Sequence, residues 1–100
     1  MNYTEEQIKI LSIASNLKRI AQLVIDNKSH INDALILTFN EQSLKLFNDL
    51  QSLKENEDIK SLGKLLYQIK YGFPVNSYEN AEKSLAIYNI LINRIGLYLL

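Results

Sequence analysis

Apolar residues recur every three or four positions through the first quarter of the chain. This is the spacing that places side chains on one face of an α-helix. The segment Thr4-Glu5-Glu6-Gln7 matches a capping box, in which the threonine hydroxyl accepts a hydrogen bond from the Gln7 backbone N–H. We therefore predict a first helix from Thr4 to about residues 27–28. Its buried stripe is Ile10, Ile13, Leu17, Ile20 and Val24.

The next segment has two interpretations. Ser29 is suited to cap a second helix that begins at His30 and runs to about Lys54. Residues 38–41, however, form another capping-box pattern, so a kink or break near Thr38 is the alternative. One continuous helix is favoured because an apolar face extends along its whole length. That face contains Leu35, Phe39, Leu46, Leu50 and Leu53.

A third helix is predicted after Asn56, which is suited to cap it. Gly72 and then Pro74 are typical of a helix end, since glycine accepts a left-handed cap and proline cannot continue the helix. Gly63 lies beside the apolar stripe and predicts a point where a neighbouring helix comes close. The stripe itself is Ile59, Leu62, Leu66 and Ile69.

A fourth helix is predicted after the capping-box pattern at residues 76–79, and we expect it to run to the end of the chain. Four amphipathic helices joined by short connections predict an all-α, antiparallel, up-and-down four-helix bundle, formed as a single domain by residues 1–100. The stripe expected to face the core is Ala81, Leu85, Tyr88, Ile92, Ile95 and Leu99.

The fourth helix carries more apolar residues than one stripe requires. Beside the stripe lie Ile87, Ile90, Leu91, Leu97 and Tyr98. Such a helix is either the buried centre of the monomer, an interface with a second copy or another protein, or a membrane-docking surface. The first two have equal weight, because a short chain has few helices to cover so wide a surface. The candidate partner-binding residues are Ile87, Leu91, Arg94, Tyr98, Phe73 and Tyr71.

The composition of the chain argues against several kinds of functional site. The 11 basic and 11 acidic residues cancel, whereas nucleic-acid-binding proteins usually carry a basic excess. There is no cysteine, and the only histidine, His30, cannot build a zinc site alone. No phosphate-binding loop or nucleophile motif is present, so we expect no catalytic residues, no metal and no cofactor. The polar start of the chain lacks the features of a signal peptide, and we predict a cytoplasmic protein.

These observations favour a non-enzymatic protein that binds a protein partner as a regulator, adaptor or inhibitor, with a homodimer through the last helix as one version. In size, lack of cysteine and predicted architecture, the chain is similar to bacteriocin immunity proteins. That resemblance implies an alternative, a membrane-proximal protective protein with peripheral membrane contact. A third alternative is a nucleic-acid accessory protein using the face of Lys60, Lys64 and Lys70.

Overall fold

Four α-helices make up most of the structure, a computed structural model that describes residues 3–26, 31–72 and 77–98. A short 3-10 helix, Ile95–Leu97, follows the last of them. The α-helices are α1 (Glu5–Asp26), α2 (Asp33–Asn48), α3 (Glu57–Gly72) and α4 (Ser77–Arg94).

The helices pack as an antiparallel, up-and-down bundle. Helix α1 contacts α2 and α4, and α3 contacts the same two helices from the other side. The Cα radius of gyration is 13.1 Å, which is close to the value of about 13 Å expected for a compact chain of this length. No strand occurs within the three described stretches. The predicted fold class is therefore confirmed.

Two of the predicted helix caps are present. The Thr4 hydroxyl accepts from the Gln7 N–H at 3.1 Å, and the Gln7 side chain accepts in return from the Thr4 N–H at 2.9 Å. At α3, the Asn56 side chain accepts from the N–H groups of Asp58 and Ile59. Each cap binds backbone donors that the first helical turn leaves without partners. The predicted cap at residues 76–79 extends beyond the described residues.

The predicted start of α2 is wrong. The helix begins at Asp33, and its cap is Asn32, whose side chain accepts from the Leu35 N–H at 3.0 Å. Ser29 and His30 lie outside the described residues. There is no break at Thr38, because its hydroxyl donates to the Ala34 carbonyl at 2.9 Å, one turn earlier in a continuous helix. A threonine that bonds this way does not need to act as a cap.

The predicted end of α2 near Lys54 is also wrong, and the reason lies in α1. The Glu6 carboxylate accepts from the N–H groups of Gln51 at 2.7 Å and Ser52 at 3.2 Å. These are the donors that another turn of α2 would have used, so the helix ends at Asn48. Burial alone would raise the pKa of Glu6. These two N–H groups and the nearby Lys9 charge instead hold that pKa below its ordinary value.

Gly63 marks a close approach between α2 and α3, as predicted. A Cβ atom at this position would lie 3.0 Å from Cε1 and Cε2 of the Phe47 ring and closer still to Cζ. The ring therefore occupies the space that any larger residue would need. This contact sets the distance between the two helices at that level of the bundle.

Helix α4 is rotated relative to its predicted orientation. Leu91 is fully buried, as are Ala81 and Ser84, whereas Ile92 is exposed although it belongs to the predicted stripe. The stripes predicted for α1 and α3 are buried throughout. Two apolar stripes compete on α4, and packing against α1 and α3 selects the one centred on Leu91.

The end of α4 also differs from the prediction. The helix ends at Arg94 and does not continue to the end of the chain. The Gln7 side-chain amide donates to the carbonyls of Ile95 and Tyr98, both at 3.0 Å. These bonds to α1 bind the last carbonyls in a 3-10 turn and direct the Tyr98 ring into the core, where it is 2% exposed.

Candidate functional site

Two of the predicted partner-binding residues belong to the core. Leu91 has no exposed surface, and Tyr98 is almost fully enclosed. The Tyr98 hydroxyl donates to Asp58 Oδ2 at 2.7 Å, which joins the end of the chain to the start of α3. The interpretation of these two residues as exposed anchors is therefore wrong, because their own chain already covers them.

Four residues are joined by hydrogen bonds at the end of α4, and we call this group the C-terminal latch: Gln7, Asp58, Arg94 and Tyr98. Arg94 Nη1 donates to both Asp58 carboxylate oxygens at 3.3 Å. Burial, and next the hydrogen bond to the Asp58 carboxylate, raise the pKa of the Tyr98 hydroxyl far above its ordinary value. Arg94 is exposed as predicted, yet its charge already has a partner within the chain.

Two of the other predicted partner-binding residues, Tyr71 and Ile87, have exposed surface. Tyr71 is 76% exposed, and Ile87 is half-buried at the edge of the core. Both line one groove between α3 and α4. Phe73 lies outside the described residues. Tyr71 and Ile87 therefore mark the surface on which a site can be built.

This α3–α4 groove is an open, mainly apolar depression of about 710 Å³. Its volume lies in the range of binding clefts in proteins. It exists because α4 packs more extensively on α1 than on α3. The lining residues from α3 are Ser61, Lys64, Leu65, Tyr67, Gln68 and Tyr71, and those from α4 are Lys83, Ala86 and Ile87.

Aromatic rings form the α3 side of the groove. Tyr67 and Tyr71 are one helical turn apart, and their rings stack with centroids 6.4 Å apart and an interplanar angle of 12°. The Tyr67 hydroxyl donates to Asn48 Oδ1 at 3.4 Å, which ties this ring to the end of α2. Lys70 Nζ lies 5.5 Å from the centroid of the Tyr71 ring. The two rings therefore present a pre-arranged apolar surface with a polar edge.

Positive charge borders the same groove. Lys64 and Lys70 have no carboxylate within 4.0 Å among the residues that the structure describes. Lys83, on the opposite wall, pairs with Glu79 at 3.1 Å. Lys60, one turn before Lys64, pairs with Glu55 and Glu57. The unpaired cations are thus located beside the tyrosines.

Sequence reasoning identified parts of this groove separately. It named Tyr71 as a candidate partner-binding residue, and it assigned Lys60, Lys64 and Lys70 to the nucleic-acid alternative. It did not include Lys83 or Ala86. Both lie outside the stripe of α4 that was predicted to face the core, and the structure shows that they line the same groove as Tyr71. Tyr78 is 53% exposed but does not line the groove.

Other kinds of site are not found in the described part of the chain. No three side chains of the metal-binding types come together within residues 3–26, 31–72 and 77–98. In the same stretches, none of the helices combines the length and apolarity needed to cross a lipid bilayer. The chain matches no protein-family model, and comparison with curated proteins and with solved structures finds no significant match.

Proposed function

We propose that this chain is a non-enzymatic protein that acts by binding another protein, and that the α3–α4 groove receives an amphipathic helix bearing acidic residues. The observation that carries the proposal is the stacked pair Tyr67 and Tyr71, which lies beside Lys64 and Lys70. Among the described residues, these two cations have no carboxylate within 4.0 Å. Exposed aromatic residues next to positive charge are typical of the few residues that dominate binding energy at protein interfaces.

The shape of the groove supports a helix as the bound element. It lies between two antiparallel helices and is lined on α4 by Lys83, Ala86 and Ile87. Ile90, about one turn farther along the same face of α4, is 38% exposed. A partner helix in this position would cover the face of α4 that α3 leaves open. This is the helix-in-groove mode, in which apolar residues three and four apart act as anchors.

The charges support an acidic partner. Among the described residues, Lys64 and Lys70 on α3 have no carboxylate within 4.0 Å, and Lys83 across the groove pairs with the largely exposed Glu79. Glutamate or aspartate residues along the sides of an apolar helix would meet these cations. Charge complementarity of this kind increases the association rate and selects among partners.

The test uses two synthetic amphipathic helices of about 16 residues, the length of α3. Both share one leucine face, and their remaining positions are glutamate and alanine in one and lysine and alanine in the other. We expect fluorescence anisotropy to show binding of the acidic helix and not of the basic one. Y67S/Y71S should weaken that binding at least about tenfold, or about 1.4 kcal/mol, and K64E should reverse the charge preference.

Matched controls are available in the chain. Tyr78 is an exposed tyrosine outside the groove, and Lys45 is an exposed lysine on α2. Y78S and K45E should leave the affinity unchanged. Equal binding of the two helices, or binding that survives Y67S/Y71S, would contradict the proposal.

Self-association is a separate outcome of the same surface. Analytical ultracentrifugation of the wild type should show a monomer if the groove serves a different protein. A dimer that Y67S/Y71S converts to a monomer would mean that a second copy fills the groove, and would overturn the proposed heterologous partner. The cytoplasmic location stays a prediction that fractionation of the native cells would test.

A further inference from the structure

A second depression lies on the outer side of α1, away from the α3–α4 groove, and no part of the proposed function uses it. We call it the α1 cleft. It measures about 600 Å³, a volume typical of small-molecule sites. Helix α1 provides most of its surface, α2 forms one edge and α4 the other. The lining residues are Ser15, Lys18, Arg19, Gln22, Leu23, Asp26, Leu35, Phe39 and Tyr88.

The α1 cleft combines an apolar surface with fixed cations. Leu23, Leu35 and Phe39 are half-buried and form its apolar part. Arg19 Cζ lies 5.5 Å from the centroid of the Phe39 ring, and Lys18 Nζ lies 5.5 Å from that of Tyr88. These rings hold both cations over the cleft by cation–π attraction.

Neither cation has a carboxylate partner in the part of the chain that the structure describes. The ion pairs of the described residues involve other basic side chains, so Lys18 and Arg19 have no carboxylate within 4.0 Å. Arg19 is held from its other side by Asn16, whose Oδ1 accepts from Arg19 Nη1 at 3.3 Å. Asp26 also lines the cleft, but it lies two helical turns beyond Lys18, about 12 Å along the axis of α1.

We propose that the α1 cleft binds a small free amphiphilic anion, with a carboxylate, sulfonate or phosphate group between Lys18 and Arg19 and an apolar body against Leu35 and Phe39. The Arg19 guanidinium lies at the α2 edge of the cleft beside Phe39, and the Lys18 ammonium lies at the α4 edge beside Tyr88. Both groups can donate to the acceptor oxygens of an anion bound between them. Ser15 and Gln22 provide further hydrogen-bond donors at the same wall. The acid group sets the orientation of the ligand, and the apolar contacts add to the surface that is buried on binding.

The experiment compares octanoate with 1-octanol, which share an apolar chain and differ in charge. Titration of the isotopically labelled protein should give saturable amide shifts with octanoate that centre on Lys18, Arg19 and Phe39. The alcohol should bind at least about tenfold more weakly. K18Q/R19Q should raise the octanoate Kd about tenfold and leave the octanol Kd unchanged. K45Q/K54Q, at two exposed lysines outside the cleft, should change neither.

Three results would overturn the proposal. One is equal affinity for the acid and the alcohol. Another is a set of amide shifts centred on the α3–α4 groove or elsewhere, a readout of the wild type that does not depend on any variant. The third is the absence of octanoate binding together with sedimentation on phosphatidylglycerol vesicles that K18Q/R19Q abolishes, which would assign the cations to a lipid surface.

Discussion

The two sides of α4 differ in how completely the chain covers them. On the side facing α1, Leu91 is buried, and the hydrogen bonds of the C-terminal latch hold the end of the helix in place. On the side facing α3, the α3–α4 groove remains open, with Tyr71 exposed and Ile87 only half-buried. Both sides are apolar, so hydrophobicity alone does not distinguish core from candidate binding surface. What distinguishes them is how closely α4 packs, since it contacts α1 more extensively than α3.

The difference shows where the fold stability of this protein should reside. Leu91 and Tyr98 lie in the larger core cluster with residues from every helix. The two groove tyrosines on α3, Tyr67 and Tyr71, contact mainly each other and the end of α2. Truncation of the two tyrosine side chains should therefore leave the protein folded, whereas truncation of Leu91 or Tyr98 should destabilise it. Four experiments test this contrast.

The largest effect is expected for Leu91→Ala. Truncation of a fully buried leucine removes its apolar contacts and leaves a cavity, so we expect a loss of about 3 kcal/mol in the free energy of unfolding. Leu97→Ala is the matched control, because Leu97 is 76% exposed in the turn that follows α4. It should cost less than about 0.5 kcal/mol. Urea unfolding measures both, and similar losses would remove the distinction between closed and open surface.

An intermediate effect is expected for Glu6→Ala. This change leaves the N–H groups of Gln51 and Ser52 without their charged acceptor, and we expect a loss of about 2 kcal/mol at neutral pH. Glu5→Ala, at the exposed neighbouring position, should have little effect. A loss no larger than that of the control would mean that the end of α2 does not depend on this carboxylate.

The same contact should depend on pH. Because the pKa of Glu6 is lower in the folded state, its stabilisation is fully present above its ordinary pKa of 4.5. That stabilisation is lost as the pH falls through the folded-state value, since the unfolded state binds a proton first. The difference in unfolding free energy between the wild type and Glu6→Ala should therefore shrink in acid. A difference that stays constant from neutral pH to acid would contradict the assignment.

The smallest effect on stability is expected for Tyr71→Ser in the open groove. Its ring is largely exposed and contacts Tyr67 and Lys70, so the loss should stay below about 0.5 kcal/mol. The variant should nevertheless weaken binding of the acidic helix. A large loss of stability would instead assign Tyr71 to the fold, and the binding experiment would then require Lys64→Glu, which changes charge at an exposed position.

Sequence patterns were sufficient for α1 and α3. Each has a single apolar stripe and a recognisable cap, so the local hydrogen bonds of Thr4 and Asn56 and the burial of the stripe agree. The pattern was not sufficient for α4, where two apolar stripes lie side by side. Partner-binding residues taken from the surplus therefore included Leu91, which turned out to be core, and Ile87, which lies half-buried at the edge of the core.

What the sequence determined by itself is the number of helices, their class of packing and the caps at Thr4 and Asn56, whose partners lie within three residues along the chain. The tertiary structure decided where α2 and α4 end and which side of α4 is covered. Glu6 bonds to residues 45 and 46 positions away, and Gln7 to residues 88 and 91 positions away. Local patterns record hydrogen bonds between near neighbours, whereas these bonds exist only after the helices have packed.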